Sequence, residues 1–230
     1  DALNFGSSGG FSNVQELSLY ENFASGFEPE AVFLFFLNYN DFYDNVDSQK
    51  DGLIDSLGNF TYLVNDSFEE VVEYVQRRSE PVAYEYSIEG LYAFQAAKKG
   101  IKVLKVMASN SLGTRMDYMT PLAEIYAPEQ NAQVAQGREI FAKCLQRFKQ
   151  LCDSDGIPLV LVQLPDPYQT DTAWLEAAGK HIDQPLDPEL PNRQIETICE
   201  QVGVPYLNMY PLAMAYIKEH ELAYPYIYNS

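Results

Sequence analysis

The chain has 230 residues, 47% of them hydrophobic, which is enough to bury the core of one good-sized α/β domain or two small ones. Fifteen Lys and Arg against 33 Asp and Glu give a formal charge of -18, which argues against nucleic acid and anionic membrane surfaces as partners. Seventeen Tyr and thirteen Phe argue against disorder, and no stretch reaches the roughly 18 apolar residues of a membrane span.

Ala2–Phe5 reads as the end of a strand running into the small-residue turn Gly6-Ser7-Ser8-Gly9-Gly10. Ser12 then has the spacing of a capping box with Gln15, and Val14, Leu17, Tyr20 and the Phe23-Ala24 pair recur at helical intervals up to Gly26. Ala31–Leu37 is a short apolar run cut off by Asn38-Tyr39-Asn40-Asp41, and it reads as a strand buried on both faces. Strand, turn, helix and strand make a βαβ unit. Residues 42–66 look irregular, with a possible short strand at Phe60–Val64. Helices are expected at Phe68–Arg78 and about Val82–Lys99, and residues 101–127 are ambiguous.

The best-defined helix is about Glu129–Asp153, with Ile140, Phe141, Cys144, Leu145, Phe148, Leu151 and Cys152 on one face. Leu159–Val162 reads as a second strand buried on both faces. Residues 168–190 read as a long Pro-rich loop. Pro191 opens a helix to about Val202, Tyr206–Asn208 is a third strand, and a last helix covers about Pro211–Glu219. The alternation predicts a single doubly wound α/β domain over residues 1–230, with an insertion at about 44–127.

Cys144, Cys152 and Cys199 are too few for a disulfide framework and lack metal-ligand spacing, so they read as buried thiols and leave the compartment open. His181 and His220, the only histidines, sit in the Pro-rich loop and at a helix end. Asp47–Asp55 resembles the first part of a calcium loop, but Gln49 stands at the third position and Gly58 where a bidentate Glu is needed, so an acidic turn is the simpler reading. No cofactor or metal site is otherwise read from the sequence.

In an open parallel sheet, chemistry sits beyond the carboxyl ends of the strands, where Asn38, Asn40 and Asp41 fall. The Gly9-Gly10 turn allows close backbone approach to an anion. A backbone N–H beside an Asn amide is the composition of an oxyanion hole, although a Gly-rich turn and an Asn after a strand are also ordinary turn chemistry.

NFGSSGGFS followed about thirty residues later by LNYNDFYDN resembles the second and third sequence blocks of the SGNH (GDSL-type) hydrolases. The resemblance is specific over residues 4–45 and looser beyond. It implies a three-layer α/β/α fold with a mostly parallel sheet in the strand order 2-1-3-4-5. It also implies oxyanion donors at Gly9 (backbone N–H) and Asn40 (side chain), with Asp41 beside Asn40 and Asn38 where the family usually has Gly. The implied substrate is a small-molecule, carbohydrate or lipid ester, cleaved by a Ser-His-Asp site without a cofactor.

The family's G-D-S and D-x-x-H blocks do not occur in this sequence. The resemblance would put the first before Asp1, with the family's first strand, and the second after Ser230. The 230 residues are therefore expected to be inactive alone, and an extracytoplasmic location is slightly favoured. The alternatives are a non-catalytic relative that binds carbohydrate or serves assembly, and a calcium-dependent structural domain built on Asp47–Asp55.

Overall fold

The computed structural model describes residues 12–38, 40–50, 53, 60 and 122–220. The Ala2–Phe5 strand, the Gly9 turn, the helices expected between 68 and 99 and the tyrosines after His220 lie outside the described residues.

Helix α1, Asn13–Asn22, starts on the expected capping box: Gln15 N–H donates to Ser12 Oγ, and Ser12 N–H donates to Gln15 Oε1 at 2.8 Å. Val14, Leu17 and Tyr20 are buried. The helix does not run to Gly26. It stops at Phe23, and a 3-10 turn, Ala24–Phe27, keeps Ala24 in the core; the left-handed residue is Glu28, at φ 49°.

Strands β1 (Val32–Leu37), β2 (Leu159–Leu164) and β3 (Tyr206–Asn208) form an open, all-parallel sheet in that spatial order. Leu34 pairs with Leu161 and Leu161 with Tyr206, while Phe36 pairs with Gln163 and Gln163 with Asn208. The molecule is thus a mixed α/β protein.

Residues 42–50, expected to be irregular, belong to helix α2, Asp41–Lys50. Two acids in its first turn complement the helix dipole, and Phe42 and Val46, one turn apart, both point into the core. Helix α3, Ala132–Ser154, is the longest among the described residues. Asn131 caps it, accepting from Val134 N–H at 2.8 Å, and its predicted apolar face is buried, with only Leu151 half-buried. All three cysteines are buried and free, as read from the sequence.

Residues 168–190 are not one long loop: helices occupy most of 168–182, and 183–189 are irregular. Asp166 caps helix α4 (Pro167–Thr170) and Asp171 caps helix α5 (Thr172–Ile182). Proline in the first turn of a helix removes only an N–H that has no helical partner, so Pro167 initiates structure rather than breaking it. Helix α6, Leu190–Val202, carries Pro191 in its first turn and closes on Gly203 at φ 78°. Helix α7 spans Tyr210–Glu219.

Side chains from α1, α2, α3 and α6 pack with Leu34, Phe36, Leu159 and Leu161 into one core, with the Phe36 and Phe141 rings 4.5 Å apart. The expectation of strands buried on both faces fails for β1. Leu34 and Phe36 are buried, but Phe33 and Phe35, on the opposite face, are 58% and 53% exposed. Leu164 and Leu207 are exposed as well. The described helices that build this core meet the sheet on the Leu34–Phe36 side, which leaves an apolar face open.

Candidate functional site at the carboxyl edge of the sheet

β1 ends at Leu37, and α2 starts four residues later. Asp41 makes that corner: its Oδ2 accepts from Leu37 N–H at 2.8 Å, closing the chain between strand and helix. Asp41 is buried, which holds its carboxyl well above the usual carboxylate range; the Leu37 N–H and the Asn13 amide pull it back, and Glu16 and Asp44 push it further up. Asp41 is therefore a brace of the corner, facing inward.

Asn40 stands immediately before α2 and is half-buried. Its carbonyl accepts from Asp44 N–H at 2.8 Å, the first helical hydrogen bond. Its Nδ2 donates to Asp44 Oδ2 at 2.5 Å. Burial raises the Asp44 carboxyl, the Asn40 amide lowers it, and the charge of Asp47 raises it again. One N–H of Asn40 is committed to Asp44, and the second has no partner among the described residues. An amide N–H at a strand end, next to a helix start, can stabilise developing negative charge.

Asn38 is fully buried and belongs to a relay of amides. Gln163 Nε2 donates to Asn38 Oδ1, and Asn38 Nδ2 reaches Gln169 Oε1 at 3.5 Å. Gln169 Nε2 donates to Asn192 Oδ1 and to the Pro188 carbonyl, and Asn192 Nδ2 donates to Asn208 Oδ1 at 2.7 Å. The Tyr206 hydroxyl donates to Gln163 Oε1. The relay joins the carboxyl ends of all three strands with uncharged groups, so it fixes their spacing without burying charge. Asn38 does not adopt the left-handed backbone that would require the family's Gly: Glu28 and Asp183 are the only non-glycine residues with positive φ among those described. Gln163, Gln169, Asn192 and Asn208 escaped notice in the sequence. The available signal was a polar residue near the end of each apolar run, Gln163 and Asn208, which pairing sets side by side.

Asp166 accepts from the Tyr126 hydroxyl and from Gln169 N–H, both within the core. Burial pushes the Asp166 carboxyl and the Tyr126 hydroxyl up. Asp166 already serves as the cap of α4, so the pair is accounted for by structure.

Of the remaining candidates, none among the described residues joins this edge. Gly9, Ser7 and Ser8 lie outside the described residues. His181 is exposed in α5, and His220 is exposed at the end of α7, stacked on Tyr216. Asp47 lies within α2, where a calcium loop would already have left the helix, and Asp51 and Asp55 lie outside the described residues. Among the described residues no group of His, Cys, Asp and Glu could hold a metal ion, and no helix is long and apolar enough to cross a membrane.

Fold and site together define an α/β protein with an open parallel sheet and an amide-rich carboxyl edge. Compared with protein-family models, with curated proteins and with solved structures, the chain matches none.

Proposed function

We propose that the protein is an ester hydrolase of the SGNH type, in which the Asn40 amide and the Gly9 backbone N–H hold the oxyanion of the tetrahedral intermediate. The observation that carries this reading is the position of Asn40. It lies just past the carboxyl end of a parallel strand, ahead of a helix start, with one N–H unclaimed among the described residues. The family's serine nucleophile and histidine base belong to sequence blocks not found in these 230 residues. The substrate class is an acyl or acetyl ester of a carbohydrate or lipid.

The three-layer α/β/α architecture is part of the same proposal. It accounts for the bare apolar surface of Phe33, Phe35, Leu164 and Leu207, which is the surface a second helical layer covers in such folds.

The test is Asn40→Ala in the complete protein. Removing one oxyanion donor costs about 2.7–4 kcal/mol of transition-state stabilisation, so kcat on a p-nitrophenyl ester should fall about 10²–10³-fold. The melting temperature should hardly move, because Asn40 is half-buried and its side chain bonds one neighbour. An unchanged kcat would remove Asn40 from the mechanism.

A further inference from the structure

We propose that Asp44 is a positioning residue that fixes the amide of Asn40 with its nitrogen, not its oxygen, toward the oxyanion. The proposal rests on the ester-hydrolase reading of Asn40 and extends it to a residue outside the motif that suggested that reading.

An asparagine amide turns about a broad, nearly two-fold terminal torsion, so a lone Asn can present either Oδ1 or Nδ2 to the same point. An oxyanion hole works only with Nδ2 forward, because Oδ1 would meet the developing charge with like polarity. Asp44 removes the ambiguity. Its carboxylate oxygens only accept hydrogen bonds, so Oδ1 of Asn40 cannot face it. The 2.5 Å contact from Asn40 Nδ2 to Asp44 Oδ2 therefore sets the plane and the sense of the amide, and aims the second N–H along a fixed line.

The base for this contact is rigid. The Asp44 N–H donates to the Asn40 carbonyl at 2.8 Å, so residues 40 and 44 are tied through both backbone and side chain. The Ser48 hydroxyl donates to the Asp44 carbonyl at 3.1 Å, one turn further along. Phe42 and Val46 anchor α2 in the core on either side of Asp44. The amide of Asn40 is thereby held by an element that does not depend on the substrate, which is what preorganisation requires.

A purely structural role is the competing explanation: an acid in the first turn of α2 complements the helix dipole. The two roles separate in a double-mutant cycle, run on the complete protein with a p-nitrophenyl ester. Asp44→Ala should fold, since Ala is the best helix former and the site is only half-buried. The expected result is a kcat about tenfold lower with KM little changed, the size of one hydrogen bond's net worth. In the Asn40→Ala background the same substitution should have no further effect. Asp44→Asn, whose amide can present Nδ2 as well as Oδ1 and so lets the Asn40 amide turn either way, should recover kcat only in part, and full recovery would show that an acceptor-only partner is not needed. If Asn40→Ala lowers kcat but Asp44→Ala does not, or if Asp44→Ala acts equally in both backgrounds, positioning is refuted while the role of Asn40 stands. If Asn40→Ala itself leaves kcat unchanged, the ester-hydrolase reading and the positioning role fall together.

Discussion

A β-carbon on Gly137 would stand 1.9 Å from the Phe42 carbonyl oxygen, a backbone atom that cannot swing away. Gly137 of α3 packs directly against the backbone of α2, and the Asn45 amide reaches the Gly137 carbonyl at 3.5 Å. Gly137→Ala is therefore expected to destabilise the fold by about 3 kcal/mol, the upper end for overpacking, as a lower urea midpoint would report. Nearby, the Asn13 amide donates to Glu16 and also hydrogen-bonds Asp41, while Asn45 accepts from Asn13 N–H at 2.9 Å. Glu16 is pushed up to about 7, chiefly by burial, with the Asn13 bond pulling the other way. An acid with a raised folded-state pKa binds more protons folded than unfolded. Its contribution is fully present below about pH 4.5 and is lost as pH rises through about 7. Asp41, which faces Glu16 and is also raised, adds in the same direction. Glu16→Gln should flatten this part of the pH dependence, so that variant and wild type diverge more at pH 8 than at pH 5, with the variant the more stable. Equal midpoints at both pH values would contradict a protonated Glu16.

At the scale of elements, what was legible in the sequence was local. The Ser12–Gln15 capping box, the heptad-like face of α3 and the Gly203 stop each lie within one or two turns of chain, and each is formed. Helix α2 was not legible, because Phe42 and Val46 are buried by side chains of other elements, Phe36 of β1 and Ile140 of α3 among them. Helix α4 was hidden by Pro167, which sits where a helix tolerates it, and α5, which contains no proline, was hidden by those that flank it, Pro167, Pro185 and Pro188. The face of β1 was misread for a related reason: a run such as VFLFFL does not tell whether one side or both are covered. The third layer can be tested on that face. If it covers Phe35 in the complete protein, Phe35→Ala should cost about 3–5 kcal/mol; if the face stays half-exposed, the loss should be about 1 kcal/mol or less.

For the molecule as a whole, the sequence pattern carried the α/β class and the parallel sheet, since both follow from alternation of apolar runs and amphipathic segments. It carried Asn40 and Asp41 as strand-end residues, but not their division of labour. Asp41 turns inward to Leu37, and Asn40 turns to Asp44, because one is buried behind α1 and the other stands at the rim. The amide relay from Asn38 to Asn208 spans 170 positions of chain and exists only once the three strands are side by side. The most direct test of the account remains the kcat of the complete protein on a p-nitrophenyl ester, compared between wild type and Asn40→Ala. Measurable turnover that falls about 10²–10³-fold in the variant, at an unchanged melting temperature, is the predicted result. No ester turnover by the complete protein, or equal turnover by both, would contradict it.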